Sequence, residues 1–304
     1  MWEKFKYHIV LHLVIFVWGF TAILGVFIDA DAFVLVWYRV VIAFVSLFIF
    51  LQLVKKKWRI TNRKQLLKVL GVGVLVALHW LTFYLSIKAS TASMAIICLS
   101  TTTLHVAWLE PLIMRRKFLR SEFILGLIII LGVVLITNQG TAEQNTLGLV
   151  YGLIAALFAA LFATFNAKLI HEVSAAKITL YEMLSASITM TVVLAFMGEL
   201  DWSHLTISIK DLWLLLFLGV VCTSIAFLVT VEITKFLGAF TVTLSINMEP
   251  IYTLGLAAWL LHEHRELNLI FYAGALLIVA AVFINVVIKR YQSKQLKKAS
   301  QLNA

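Results

Sequence analysis

Long apolar runs, each close to the length of a bilayer-crossing helix, alternate along this chain with short polar breaks. The pattern predicts helical spans at 8–28, 32–54, 66–87, 93–114, 121–138, 147–170, 176–198, 211–233, 239–261 and 268–288. A span needs roughly 20 predominantly apolar residues, and the ten runs meet or approach that length. The breaks carry the polar signals: Asp29 and Asp31, Lys55 to Lys68, Arg115-Arg116-Lys117, Asn138-Gln139-Gly140, Glu199 to Asp211 and His262 to Glu266. The first run lacks a small-residue cleavage site and is long enough to stay as a span. The gaps are too short for a soluble domain.

The charges sort by side. Twenty-one of the 25 Lys and Arg residues fall at the N-terminus, in alternate breaks from it, or in the tail. The opposite breaks hold only Lys88, Lys210 and Arg265, and Arg39 lies within span 2. Acidic residues lean the other way. By the positive-inside rule both termini are cytoplasmic, and a bacterial inner (plasma) membrane location is expected.

Composition agrees with the pattern: 62% of the residues are hydrophobic and 13% charged, far from the ~25% charged of soluble domains. That excludes a cytosolic enzyme or a nucleic-acid partner despite the net charge of +10. The two cysteines, Cys98 and Cys222, lie in apolar runs and suggest no disulfide framework. Aromatics and long runs fit helices better than the alternating strands of a porin-like barrel.

The chain also resembles itself. An offset of 148 aligns 70–136 with 218–284 without a gap, pairing Gly71 with Gly219, Thr82 with Thr230 and Gly126 with Gly274. An offset of 143 lays spans 1 and 2 over 6 and 7, pairing Thr21 with Thr164, Tyr38 with Tyr181 and Arg39 with Glu182. The expected fold is therefore an all-α polytopic membrane protein of ten transmembrane helices, built as two five-helix repeats. The first repeat is 1–140 and the second 141–290, with a basic cytoplasmic tail at 291–304. Five is odd, so the second repeat enters the membrane inverted. Such repeats place a binding site near the midplane between the halves.

Span 9 and its exit carry a motif: Leu244-Ser245-Ile246-Asn247-Met248-Glu249-Pro250, an apolar stretch, Glu263 in the loop and Gly274 in the last helix. With Trp18-Gly19 in span 1 and Tyr38-Arg39 in span 2, the chain resembles the EamA-like branch of the drug/metabolite transporter superfamily over 8–288. The first repeat departs from the pattern, with Thr102 at the expected proline and Arg115 at the expected loop acid. The resemblance implies export or exchange of small metabolites, often amino acids, through a central cavity.

A charge at the bilayer centre costs about 2.5–3.5 kcal/mol on insertion scales, so each polar residue inside a span needs a reason. Glu249 stands beside Pro250, which frees a backbone carbonyl near Ile246. With Asn247 it forms a polar spot that reads as a substrate ammonium contact or a proton site, or else as a structural hydrogen bond. His79, Trp80 and Tyr84 in span 3 offer hydrogen bonds and aromatic walls. Thr102 belongs to a run, Ser100 to His105, whose hydroxyls either bond their own helix or reach a partner. Trp18 and Thr21 in span 1, Asn166 in span 6 and Tyr252 in span 9 complete the candidate substrate-binding set. Arg39, Glu110, Glu182 and Glu232 are read as gating or structural charges. Span 6 carries Gly148, Gly152, Ala156, Ala160 and Thr164 every fourth residue, a stripe for close packing.

His262-Glu263-His264 lacks zinc-protease spacing and no phosphate-binding loop occurs, so no metal, cofactor or ATP use is expected. The reading is a secondary transporter of a small polar metabolite such as an amino acid, working by alternating access, as monomer or homodimer in the lipid bilayer. Proton coupling stays open. The alternatives are a membrane-embedded enzyme acting on lipid and a non-transporting structural or regulatory protein.

Overall fold

The computed structural model describes residues 2–115, 120–137, 142–237, 245, 248–260, most of 269–288 and 291. Its first helices are α1 (Trp2–Phe27), α2 (Ala32–Leu53) and α3 (Arg63–Ala89). The next predicted span is split into α4 (Ala92–Ser100) and α5 (Thr102–Met114), followed by α6 (Arg120–Thr137). The second half has α7 (Ala142–Leu169), α8 (Ala175–Met197) and a short α9 (Trp202–Leu205). Then α10 (Ile209–Leu216) continues through a π-helical segment, Phe217–Ile225, into α11 (Ala226–Leu237). Last come α12 (Glu249–Leu260) and the apolar helix α13 (Tyr272–Ala281).

No strand occurs among the described residues. Among the described residues six helical spans are long and apolar enough to cross a membrane, seven if the bent α4–α5 pair is one span. One of the six, Ile209–Thr230, runs unbroken from α10 through the π segment. The helices α6, α12 and α13 lie in the three other expected spans without qualifying among the described residues.

The polar breaks end the helices for identifiable reasons. Asp31 caps α2, accepting hydrogen bonds from the Phe33 and Val34 amides. Asn62 caps α3 through Lys64 and Gln65, and Ser208 caps α10 through Asp211. Gly198 closes α8 in the left-handed region at φ 73°, where a side chain would be strained.

Two departures from the expected spans have local causes. Span 4 bends by 42° between α4 and α5. There Ser100, Thr101 and Thr102 donate to the carbonyls of Ile96, Cys98 and Leu99, and such back-bonding competes with the helical ladder. Pro111 lies inside α5 and removes one more backbone bond. Span 8 contains the π segment, where Thr223 Oγ1 reaches Leu218 O five residues back.

Buried positions are rich in small residues: Ala22, Ala43, Ala77, Ala95, Ala155 and Ala156 are fully enclosed. Leu13, Ile49, Leu131, Ile188 and Phe196 are exposed, an arrangement suited to hydrocarbon as solvent. The α7 stripe packs as its spacing suggests. A Cβ on Gly152 would stand 2.6 Å from Cys98 Cβ, and Ser86 donates to Gly148 O at 2.6 Å.

The main contacts of the packing map reappear when the two halves are exchanged. The α3–α7 contact has its counterpart in α1–α11, and α3–α8 in α2 against the π segment. Likewise α4 and α5 against α7 correspond to α1 against α12, while α2–α8 is its own counterpart. The glycines repeat this in atomic detail. A Cβ on Gly73 would meet Glu182 O and Ser185 Cβ at 2.6 Å, and one on Gly219 would meet Ile42 and Arg39 O. Residues 39 and 42 lie 143 before residues 182 and 185.

Candidate functional site

Helices α1, α2, α3 and the π segment converge on Arg39, eight residues into α2 and 3% exposed. Its Nε donates to Thr223 Oγ1 at 3.1 Å and its Nη1 to the Tyr84 hydroxyl at 3.0 Å. The guanidinium carbon lies 4.0 Å above the Trp80 ring and 5.7 Å from the Tyr84 ring. Tyr84 in turn donates to Thr21 O at 3.2 Å. Hydrogen bonds to a charged group are each worth about 1.5–3 kcal/mol, and a desolvated cation–π contact about 2 kcal/mol. Those contacts can hold the arginine against its insertion cost, but none neutralises it: no acidic side chain pairs with Arg39 among the described residues.

The aromatic wall continues through Phe227, 6.4 Å from Trp80 and 5.7 Å from Trp18 between ring centroids. The Trp18 indole donates to Cys222 O at 3.0 Å, a carbonyl of the π segment. Glu249, half-buried at the start of α12, feels the field of Arg39, as does His79.

Other predicted residues lie apart from this centre. His79 is buried, bonded to Ala155 O at 2.9 Å and flanked by the rings of Phe83 and Phe162. Tyr252 shares a 2.9 Å hydrogen bond with His12 between α1 and α12. Glu182 is 1% exposed on α8, beside the Asn166 side chain of α7; Glu182 Oε1 and Asn166 Oδ1 have no hydrogen-bond partner. Thr102 spends its hydroxyl hydrogen on Leu99 O at the α4–α5 bend. Glu110 is half-buried on α5. Asn247 and the Glu232 side chain lie outside the described residues.

A second polar group closes the bundle end opposite the Lys/Arg-rich breaks. Asp211, 2% exposed, accepts the Asp29 and Ala30 amides through its two oxygens, both at 3.1 Å. Lys210 pairs with Asp29 at 2.9 Å, and Lys88 donates to Ile28 O. His204 Nε2 stands 3.4 Å from both Asp31 and Glu199, and Tyr38 donates to Leu205 O. The contacts of Asp211, of Lys210, of His204 with Asp31 and of Tyr38 tie the first half to the second. The hydrogen bond and charge of Lys210 hold the Asp29 carboxyl below its ordinary range, and the Ser203 hydroxyl does the same for Asp201.

The sequence profile of the EamA-like transporter family matches this chain twice, over residues 5–138 and 146–287. The chain belongs to that family. It is a multi-pass membrane protein of a transporter family, and the two matches are its repeat. No curated protein sequence matches it significantly. Among solved structures, one titled "Crystal structure of protein" is similar in fold, with a TM-score of 0.65 at 13% identity over 93% of this chain and 97% of that one.

Within this family fold the structure adds residues that the sequence reading left out: Thr223, Phe227, the Cys222 carbonyl, and the Asp29–Lys210–Asp211 group. It also moves Arg39 from the gating set to the centre of the aromatic group. One signal was present. Arg39 is the single basic residue deep in span 2, with no acid in that span to pair with it. An ionisable residue at such depth is a functional candidate in its own right.

Proposed function

We propose that this protein is a secondary transporter that moves a small polar metabolite across the bacterial inner membrane by alternating access, with both termini cytoplasmic. The observation that carries the reading is the exchange symmetry of the packing around one charged, aromatic-lined centre. Two halves related by exchange have two nearly equivalent arrangements, one open to each side, when the repeats are inverted. The odd span number per repeat and the reversal of charge between Arg115-Arg116-Lys117 and Glu263-His264-Arg265 support that inversion.

In this scheme the halves rock about the α2–α8 contact that forms its own counterpart. The cargo sits among Trp18, Trp80, Tyr84 and Glu249. The Asp211 group fastens one mouth while the other opens. An enzyme acting on lipid would need a nucleophile or acid–base pair at a membrane face; the family is one of transporters, and the polar centre here is deep. Uptake of a radiolabelled metabolite pool into proteoliposomes tests the reading, wild type against Glu249→Gln. Slower uptake in the variant is expected. Unchanged uptake with unchanged pH dependence would remove Glu249 from the mechanism, and no uptake by the wild type in either direction would remove the carrier reading.

A further inference from the structure

We infer that Arg39 is the anchor for a carboxylate on the cargo, so that the substrates are small carboxylates whose amine, where present, faces Glu249. This rests on the carrier reading and specifies its site.

Arginine presents five N–H donors in a planar fork. Here Thr223 and Tyr84 take one each, and the remaining three have no acceptor among the described residues. Trp80 and Tyr84 fix the plane of the guanidinium, so the free edge of the fork is held in one orientation. A buried, oriented, unpaired guanidinium is a receptor for a planar anion, and a carboxylate matches the fork with two parallel bonds. A lysine would not have this geometry.

The charge balance narrows the class. With Glu249 protonated one carboxylate neutralises Arg39, and with Glu249 ionised a cargo that also carries an amine keeps the balance. A phosphate dianion leaves net charge inside the bilayer in either case. Glu249, at the start of α12, lies within the field of Arg39, yet no ion pair joins the two. A carboxyl near the guanidinium but not paired with it leaves an acceptor for the amine of a cargo that carries one. The carboxylate would lie on Arg39, the ammonium toward Glu249, and the apolar part against Trp18, Trp80 and Phe227.

The test uses full-length protein and two probe series. One is leucine, 4-methylpentanoate, leucinamide and 3-methylbutylamine; the other is phenylalanine with its deaminated acid, its amide and 2-phenylethylamine. Inorganic phosphate is a further arm. Binding is followed by tryptophan fluorescence in nanodiscs, and movement by uptake into proteoliposomes. The acids and amino acids are expected to bind, with amides and amines at least tenfold weaker. R39Q should weaken acid binding by roughly 30-fold or more while leaving amide binding unchanged, as loss of a buried charge partner does. R39K, which keeps the charge and loses the fork, should fall between and serves where R39Q does not fold. Equal binding of acids and amides, tighter binding of phosphate, no acid binding, or acid binding indifferent to both variants would overturn the assignment. Arg39-dependent binding without uptake would uphold the carboxylate site and remove the carrier. Uptake of amines that ignores the acids would uphold the carrier and remove the site.

Discussion

Replacing Gly73 by alanine tests the seam between α3 and α8 with a control two residues away. At Gly73 an added Cβ would lie 2.6 Å from Glu182 O and Ser185 Cβ and 2.9 Å from Glu182 Cα, whereas at Gly71 it meets nothing within 4 Å. Ordinary contact begins at 3.4 Å, so the two helices must part by about 0.8 Å at Gly73. The obstructing atoms are largely backbone, which cannot swing aside. Overpacking of this kind costs about 1–3 kcal/mol. Glycine to alanine in a helix also gains up to about 1 kcal/mol of propensity, but both variants gain it, so it cancels in the comparison. Gly73→Ala should therefore be about 1–3 kcal/mol less stable than Gly71→Ala, roughly 5- to 150-fold in the folding equilibrium. Denaturation in mixed micelles with rising SDS, followed by tryptophan fluorescence, measures the difference. Gly219→Ala, at the counterpart seam, meets Ile42 Cγ2 at 2.6 Å and Ile42 Cβ at 2.8 Å, and should cost a similar amount because a Cβ cannot turn aside. Equal midpoints for the Gly71 and Gly73 variants would refute the close approach of α3 and α8.

Trp18→Phe keeps the ring against Phe227 but removes the indole hydrogen bond to the Cys222 carbonyl, and should lower stability by about 1 kcal/mol in the same titration. The carboxyl of Asp29 is held below its ordinary value of 3.8, so the contribution of its Lys210 contact is present above that value and fades as pH falls through the lowered one. Spin labels on the 28–31 turn and the 199–208 loop should report a narrow distance distribution at neutral pH that broadens only in acid below 3.8, and one that Asp29→Asn makes broad at every pH. A tag placed after Asn145 should be reachable from outside the cell alone; detection from the cytoplasm would overturn the inverted arrangement.

Helix positions were legible because their ends are written in capping chemistry. Asp31, Asn62, Ser208 and Gly198 interrupt apolar runs at the positions where backbone groups need partners. The break of span 4 was less legible. Hydroxyls at 100–102 mark it, but the same residues also occur in straight membrane helices. The central site was legible residue by residue and not as a group. Nothing along the chain reveals that Arg39 lies on Trp80, 41 positions later, since that contact depends on how α2 and α3 cross. The outer group was obscured for another reason: its charges read as loop solvation until the fold brought Asp29 beside Asp211.

The π segment has a consequence for how the two repeats keep step. At the start of the helices the halves are 146 residues apart: Asn62 and Ser208 are the caps, and Gly73 and Gly219 the close contacts. Past the π segment the spacing becomes 148, where Thr82 and Thr230 each donate to the carbonyl four residues back. Two residues have been added without a loop. Two α turns hold about seven residues, and the nine of Phe217–Ile225 take up the surplus as wider winding. An insertion that would turn every later side chain away from its neighbours is absorbed within a couple of turns. Within this helix the positions on either side of the segment stay matched to those of α3, and the surplus is confined to the wall beside Arg39.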